Sequence, residues 1–228
     1  MKHLVKRLLL PKGRKLRRLR GGLAKGMSME IDLACQFQRY MGLDERELLG
    51  HFRRLIPSCR SCVDVGANDG YYTIAFLKSS AERVVACEPG EISGQLLENA
   101  LANGYRPNER FVVERRLVGS GNEMLSAADL VQGLPRPVIL KVDVDGGEFD
   151  LLNSAETCPF LSELFWVIET HSEELETRCI NWLRSHGYRT TAVLRASWRI
   201  LLPERRPLPH NRWLIAEPSG IIGGAGVT

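Results

Sequence analysis

What this 228-residue chain lacks narrows its possibilities first. No segment approaches the roughly twenty consecutive apolar residues that a membrane-spanning helix requires. The opening run from Met1 to Leu10 interrupts its leucines with Lys2, Lys6 and Arg7, which is too much charge over too short a length for a signal peptide. A cytoplasmic protein is expected. The six cysteines show no paired spacing beyond a lone Cys59-Arg60-Ser61-Cys62. That excludes a disulfide scaffold and a zinc finger, and it leaves the pair incidental in a reducing compartment. No tyrosine is followed four residues later by lysine, so the Tyr-x-x-x-Lys pair of a short-chain dehydrogenase is missing. Residues 1–29 contain no acid.

With 44% hydrophobic residues, the chain can bury one sizeable core but is short for two full domains. Its net charge of +4 is unevenly spread, since residues 1–29 carry ten Lys or Arg while the remainder holds 21 bases against 27 acids. The expected division is a basic extension over 1–29, a helical segment over 30–60, a principal domain over 61–218 and a glycine-rich tail over 219–228. Leucines interleaved with cations in the extension suit an amphipathic helix lying on an anionic membrane surface. A transit peptide, a basic tail touching nucleic acid and a solvated extension have similar composition.

The most informative stretch is Val63-Asp64-Val65-Gly66-Ala67-Asn68-Asp69-Gly70. It reads as a buried parallel strand breaking into a glycine-spaced turn, where a side chain would collide with a ligand. A second strand, Arg83-Val84-Val85-Ala86-Cys87, ends on Glu88 and Pro89. An acid at that place accepts the ribose hydroxyls of an adenosine. A pyrophosphate needs Gly-x-Gly-x-x-Gly, whereas this loop is Gly66-x-Asn68-x-Gly70, with Asp69 where phosphate charge would lie. An adenosine without phosphate fits better, and S-adenosylmethionine becomes the leading cofactor. Asp64 is expected near its ammonium group, with Gly66, Ala67, Asn68, Gly70, Glu88 and Pro89 around the rest.

Strand and helix patterns alternate from Cys62: strands over 62–66, 83–88, 111–118, 137–143 and 164–170, and helices over 71–78, 91–103, 124–132, 148–155 and 173–186. This alternation predicts an α/β fold, a mostly parallel sheet covered by helices on both faces. Two last strands near 188–195 and 212–217, joined by a Pro-rich turn, suit an antiparallel pair. Ahead of them, Asp44 followed by Leu48, Leu49, Phe52, Leu55 and Ile56 predicts a helix capped by Asp44 and stopped by Pro57.

Ligands of such a sheet lie beyond the carboxyl ends of its strands. Asp64, Asn68, Glu88, Asp143, Asp145, Glu169 and His171 all fall there. The run Lys141-Val142-Asp143-Val144-Asp145-Gly146-Gly147-Glu148, together with the Gly66 loop, Glu88-Pro89, Ile168-Glu169 and Asn211-x-Trp213, resembles the FkbM-type family of S-adenosylmethionine-dependent methyltransferases over residues 43–217. The resemblance implies a Rossmann-like seven-stranded sheet and O-methylation of sugar or polyketide-type hydroxyls, here on a small-molecule, glycan, lipid or secondary-metabolite acceptor. The chain departs from the family at Asp145, where Glu is usual, and at Gly147, where Ala is common.

For an alcohol acceptor, the protein must align the hydroxyl and remove its proton. His171 is the first candidate base because its ordinary pKa lies nearest neutrality, with Asp145 second and Glu169 completing the cluster. Asp143 is assigned to the cofactor side. A divalent ion such as Mg²⁺ on Asp143, Asp145, Glu169 and His171 is a lesser alternative. So are a non-catalytic adenosyl-ligand-binding module and a nucleic-acid methyltransferase; the acidic body and the missing Asn-Pro-Pro-Tyr argue against the latter.

Overall fold

The computed structural model describes residues 12–201 and 210–220. The leucine-rich start of the basic extension, the Pro-rich turn and most of the glycine-rich tail lie outside the described residues. The strands are β1 (Lys15–Arg18), β2 (Ser28–Ile31), β3 (Ser61–Val65), β4 (Arg83–Cys87), β5 (Phe111–Glu114), β6 (Val138–Val142), β7 (Leu164–Thr170), β8 (Tyr188–Val193) and β9 (Arg212–Pro218). The helices are α1 (Leu33–Met41), α2 (Leu49–Leu55), α3 (Tyr71–Leu77), α4 (Ser93–Leu101), α5 (Ala127–Val131), α6 (Glu148–Asn153) and α7 (Glu173–Ser185). None of the described helices is long and apolar enough to cross a membrane.

β3 to β9 form one seven-stranded sheet in the order β5-β4-β3-β6-β7-β9-β8. Its first five strands are parallel, and β9 runs antiparallel to both β7 and β8. The expected fold class, including the final antiparallel pair, is the one observed. Side chains of a strand alternate between faces, so each face has its own core. Cys62, Ile139, Phe165 and Val167 meet the helices on one face, while Val63, Val65, Leu140, Trp166 and Ile168 meet those on the other. The strand order reverses between β3 and β6, where the loops leaving neighbouring strands diverge and open a crevice.

The basic stretch departs from expectation. Residues 15–31 are a hairpin, β1 against β2, packed on the body rather than extending from it. Leu19, Met27, Met29 and Ile31 enter the core, and Asn99 and Asn103 fasten β2 by accepting the amide hydrogens of Glu30 (2.8 Å) and Ser28 (2.7 Å). Burying each large apolar side chain contributes about 1.5–3 kcal/mol, whereas two like charges 4 Å apart in water cost about 1 kcal/mol. Packing decides where the segment lies, and the cations stay on its outside. Charge concealed the apolar alternation Met27-x-Met29-x-Ile31.

α1 falls within the helical segment expected over 30–60, although its bounds were not foreseen. Asp32 caps it by accepting the amide hydrogen of Ala34 at 2.9 Å, and Gly42 ends it in a left-handed conformation. Asp44 is not the cap of the next helix; it pairs with Arg39 at 3.3 Å, and α2 begins only at Leu49 after a short 3-10 turn. The predicted apolar side chains Leu48, Phe52, Leu55 and Ile56 are nevertheless buried. β5 stops at Glu114, and the chain beyond it turns across the crevice.

Candidate active site

A cavity of about 680 Å³ opens beyond the carboxyl ends of β3, β4, β6 and β7. At one end the backbone defines it. Gly66 has φ +71°, and a Cβ there would lie 1.8 Å from the Asp143 carbonyl oxygen, so the loops after β3 and β6 close together only around glycine. Asn68 also adopts a left-handed conformation, φ 49°. Its amide hydrogen donates to Glu88 at 2.8 Å, and that of Gly90 donates to the other Glu88 oxygen at 2.9 Å. The Glu88 carboxylate is thus fixed at the cavity wall, with acceptor capacity left for two vicinal hydroxyls. Beside it and Pro89 stands an apolar wall of Leu117, Val118 and Met124. Asp150 on α6 steadies the approach to this wall by accepting from the amide and hydroxyl of Ser120. The wall was missed because Leu117 and Val118 read as a continuation of β5.

Asp64, Ala67 and Gly70 do not line the cavity. Asp64 is fully buried, accepting from the Thr73 hydroxyl at 2.7 Å with the Lys141 ammonium 3.2 Å away. Lys141 also donates to the Gly66 carbonyl at 2.9 Å. Burial alone would lower the Lys141 pKa, but Asp64, with Asp143 and Glu45, more than offsets that and raises it. The expected contact of Asp64 with a cofactor ammonium is therefore corrected: its carboxylate is spent on an internal ion pair that braces the loop. Gly70 starts α3 with φ +86°, where a Cβ would press on Leu96. Ala67 is buried beneath the loop. Cys59 and Cys62 are free and buried, and burial pushes the Cys59 thiol up to about 12, consistent with an incidental pair.

At the other end Asp145, Glu169 and His171 converge, and Asp143, expected on the cofactor side, stands with them. Asp143, Asp145, Glu169 and His171 all line the cavity, with His171 Nε2 3.7 Å from Asp143 and 3.4 Å from Asp145. Glu169 accepts from the Asn211 amide at 3.1 Å. One ligand-type atom from each of Asp143, Glu169 and His171 lies within 4.8 Å of the others, a spacing that can hold a metal ion. The decisive partner was not foreseen. Glu148, fully buried at the start of α6, bonds His171 Nδ1, and this bond, aided by nearby Asp143 and Asp145, raises the His171 pKa despite burial. Glu148 stood inside the quoted motif, where it read as the first residue of a helix.

The cavity floor holds a second unforeseen group. Glu45 sits in a left-handed conformation, φ 44°, and accepts from the Tyr72 hydroxyl at 2.5 Å. Burial raises its pKa against the opposing Tyr72 bond. Next to it, Arg39 on α1 donates to both Asp69 oxygens at 3.0 and 3.2 Å and pairs with Asp44. Burial works against the charge on Arg39, and Asp69, Asp44 and Glu45 outweigh it, so the pKa is raised.

No family model and no curated protein match the chain. Solved structures do. The ribosomal protein L11 methylase of Lactobacillus delbrueckii subsp. bulgaricus is similar at TM-score 0.52 and 15% identity over 77% of each chain. Methyltransferase FkbM of Methylobacillus flagellatus KT is similar at TM-score 0.54 and 20% identity, over 70% of this chain and 44% of that one. These likenesses establish the fold of class I methyltransferases. At such identities the FkbM likeness extends to the fold and not to family membership.

Proposed function

We propose that the protein is an S-adenosylmethionine-dependent O-methyltransferase acting on a hydroxyl of a small-molecule, sugar, glycan or lipid acceptor. The observation that carries this reading is the orientation of His171: its Nδ1 is held by buried Glu148 while its Nε2 faces a cavity whose far end offers a fixed ribose-type acceptor, Glu88. The cavity volume lies within the range of about 300–1,000 Å³ usual for small-molecule sites. Glu88, Asn68 and Gly66 would hold the adenosine moiety, with Leu117, Val118 and Met124 against its base. The cofactor supplies a methyl group activated by a sulfonium.

The chain's own residues then do three things. A carboxylate on Nδ1 fixes the tautomer with its proton there, so Nε2 presents a lone pair to the acceptor hydroxyl and takes its proton as the carbon–oxygen bond forms. Asp143 and Asp145 stabilise the resulting imidazolium and, with Glu169, orient the acceptor. General-base assistance of this kind is worth about a hundredfold to ten-thousandfold. The test is to incubate the protein with methyl-labelled cofactor and a cell extract and to seek labelled products by mass spectrometry; a labelled methyl ether supports the proposal, and transfer only to nitrogen or carbon rejects the oxygen assignment.

The ten cations of residues 1–29 and the leucines interleaved among them support a further proposal, reversible contact with anionic membranes, since well-placed cations contribute about 1 kcal/mol each. Deleting residues 1–11, which removes three of those cations and spares the packed hairpin, should weaken co-sedimentation with anionic vesicles at low salt; equal sedimentation of both forms would reject it.

A further inference from the structure

S-adenosylmethionine ends in an α-amino acid, a carboxylate and an ammonium on one carbon. With Asp64 sealed against Lys141 and Thr73, the head needs other partners. Among the described residues, Arg39 and Asp44 are an oppositely charged pair in which both members line the cavity, 3.3 Å apart. They stand beside the Gly66 loop, because Arg39 is tied to that loop through Asp69. The Arg39 bonds use Nε and Nη1. We infer that Arg39 and Asp44 form a clamp for a zwitterionic amino-acid head, Nη2 of Arg39 meeting the carboxylate and Asp44 the ammonium. This rests on the cofactor reading above and adds to it the residues that recognise the methionyl end.

The geometry of the pair explains its construction. A guanidinium fork held by Asp69 on one edge keeps a fixed orientation, so little side-chain freedom is lost when a carboxylate binds. Asp44 adds a carboxylate beyond the Asp69 that holds the fork, so the site offers an anionic partner for an ammonium beside a cationic partner for a carboxylate, which matches a zwitterion better than it matches an anion. Neither residue stands out in the sequence, since α1 lies outside the strand–loop pattern and Asp44 reads as a helix cap.

Decarboxylated S-adenosylmethionine and 5′-methylthioadenosine separate the contributions. The first lacks the carboxylate; the second lacks the whole amino-acid head. The acidic cavity alone would favour the decarboxylated ligand, which has one more net positive charge. The clamp predicts the opposite, calorimetric binding of S-adenosylmethionine more than tenfold tighter than that of its decarboxylated form. Arg39→Gln should remove that preference while leaving the affinities for the decarboxylated ligand and 5′-methylthioadenosine within about twofold of the wild type. Asp44→Asn should weaken both ammonium-bearing ligands about fivefold or more and spare 5′-methylthioadenosine. Equal losses for all three ligands would mean that Arg39 acts only by bracing the loop, and no loss would mean that it does not touch the head; either overturns the clamp. A wild-type protein that binds 5′-methylthioadenosine but not S-adenosylmethionine overturns the cofactor reading as well, a result distinct from lost discrimination with the cofactor bound.

Discussion

The two ends of the cavity are built differently. At the end proposed for the nucleoside, geometry comes from backbone: Gly66 and Asn68 in left-handed conformations, and two amide hydrogens that fix Glu88. At the end proposed for the acceptor it comes from side chains of four separate segments, with Glu45 bonded to Tyr72 while His171 is propped by Glu148. The first end tolerates little change in backbone and binds one shape. The second can be altered residue by residue, which suits a site where acceptor specificity and proton transfer are set.

Four substitutions or treatments test that contrast, in decreasing order of effect. Gly66→Ala should be the most damaging single change, because its Cβ would meet the Asp143 carbonyl at 1.8 Å and the residue must hold φ +71°. A loss of about 2 kcal/mol or more in denaturant unfolding, with cofactor binding abolished, is expected; a native-like variant that still binds would mean that the loops after β3 and β6 are not locked together. Glu88→Ala should weaken the cofactor more than tenfold in calorimetry while leaving the fold intact, since bonds to a charged group are worth about 1.5–3 kcal/mol each. Unchanged affinity would remove Glu88 from the nucleoside end.

Glu148→Gln should act on pH dependence. The Glu148 bond raises the His171 pKa, and a base works only when neutral, so activity of the native protein should fall as pH drops through that raised value. Removing the carboxylate should move the acidic limb of the rate profile to lower pH and reduce the plateau about tenfold or more, the usual cost of losing a group that orients a histidine. An unmoved limb would assign it to another group. EDTA should have the smallest effect, none on turnover; loss of activity restored by Mg²⁺ would instead make Asp143, Glu169 and His171 ligands of an ion.

The contrast between the ends also governs what was legible beforehand. Val63 to Gly70 announced a strand and a tight loop because glycine spacing and apolar runs are local signals, and Glu88 followed from its place at the end of the next strand. His171, Asp143 and Asp145 were legible as residues at strand ends. Their support was not: Glu148 serves His171 through a helix start, and Arg39, Asp44 and Glu45 reach the cavity from a region whose spacing described only a helix. Such contacts depend on how distant segments pack, which no window of sequence contains. The same limitation misplaced Asp64, whose partner Lys141 is 77 positions away in the chain yet directly paired with it across β3 and β6.

The central claim is that the acceptor end performs proton transfer beside a cofactor held by the other end. It is tested most directly by single-turnover methyl transfer in His171→Ala, once an acceptor is identified, with cofactor affinity measured on the same sample. Near-native affinity is expected, with transfer slowed about a hundredfold or more. Transfer at the native rate would contradict it and leave the Glu148–His171 pair a structural one.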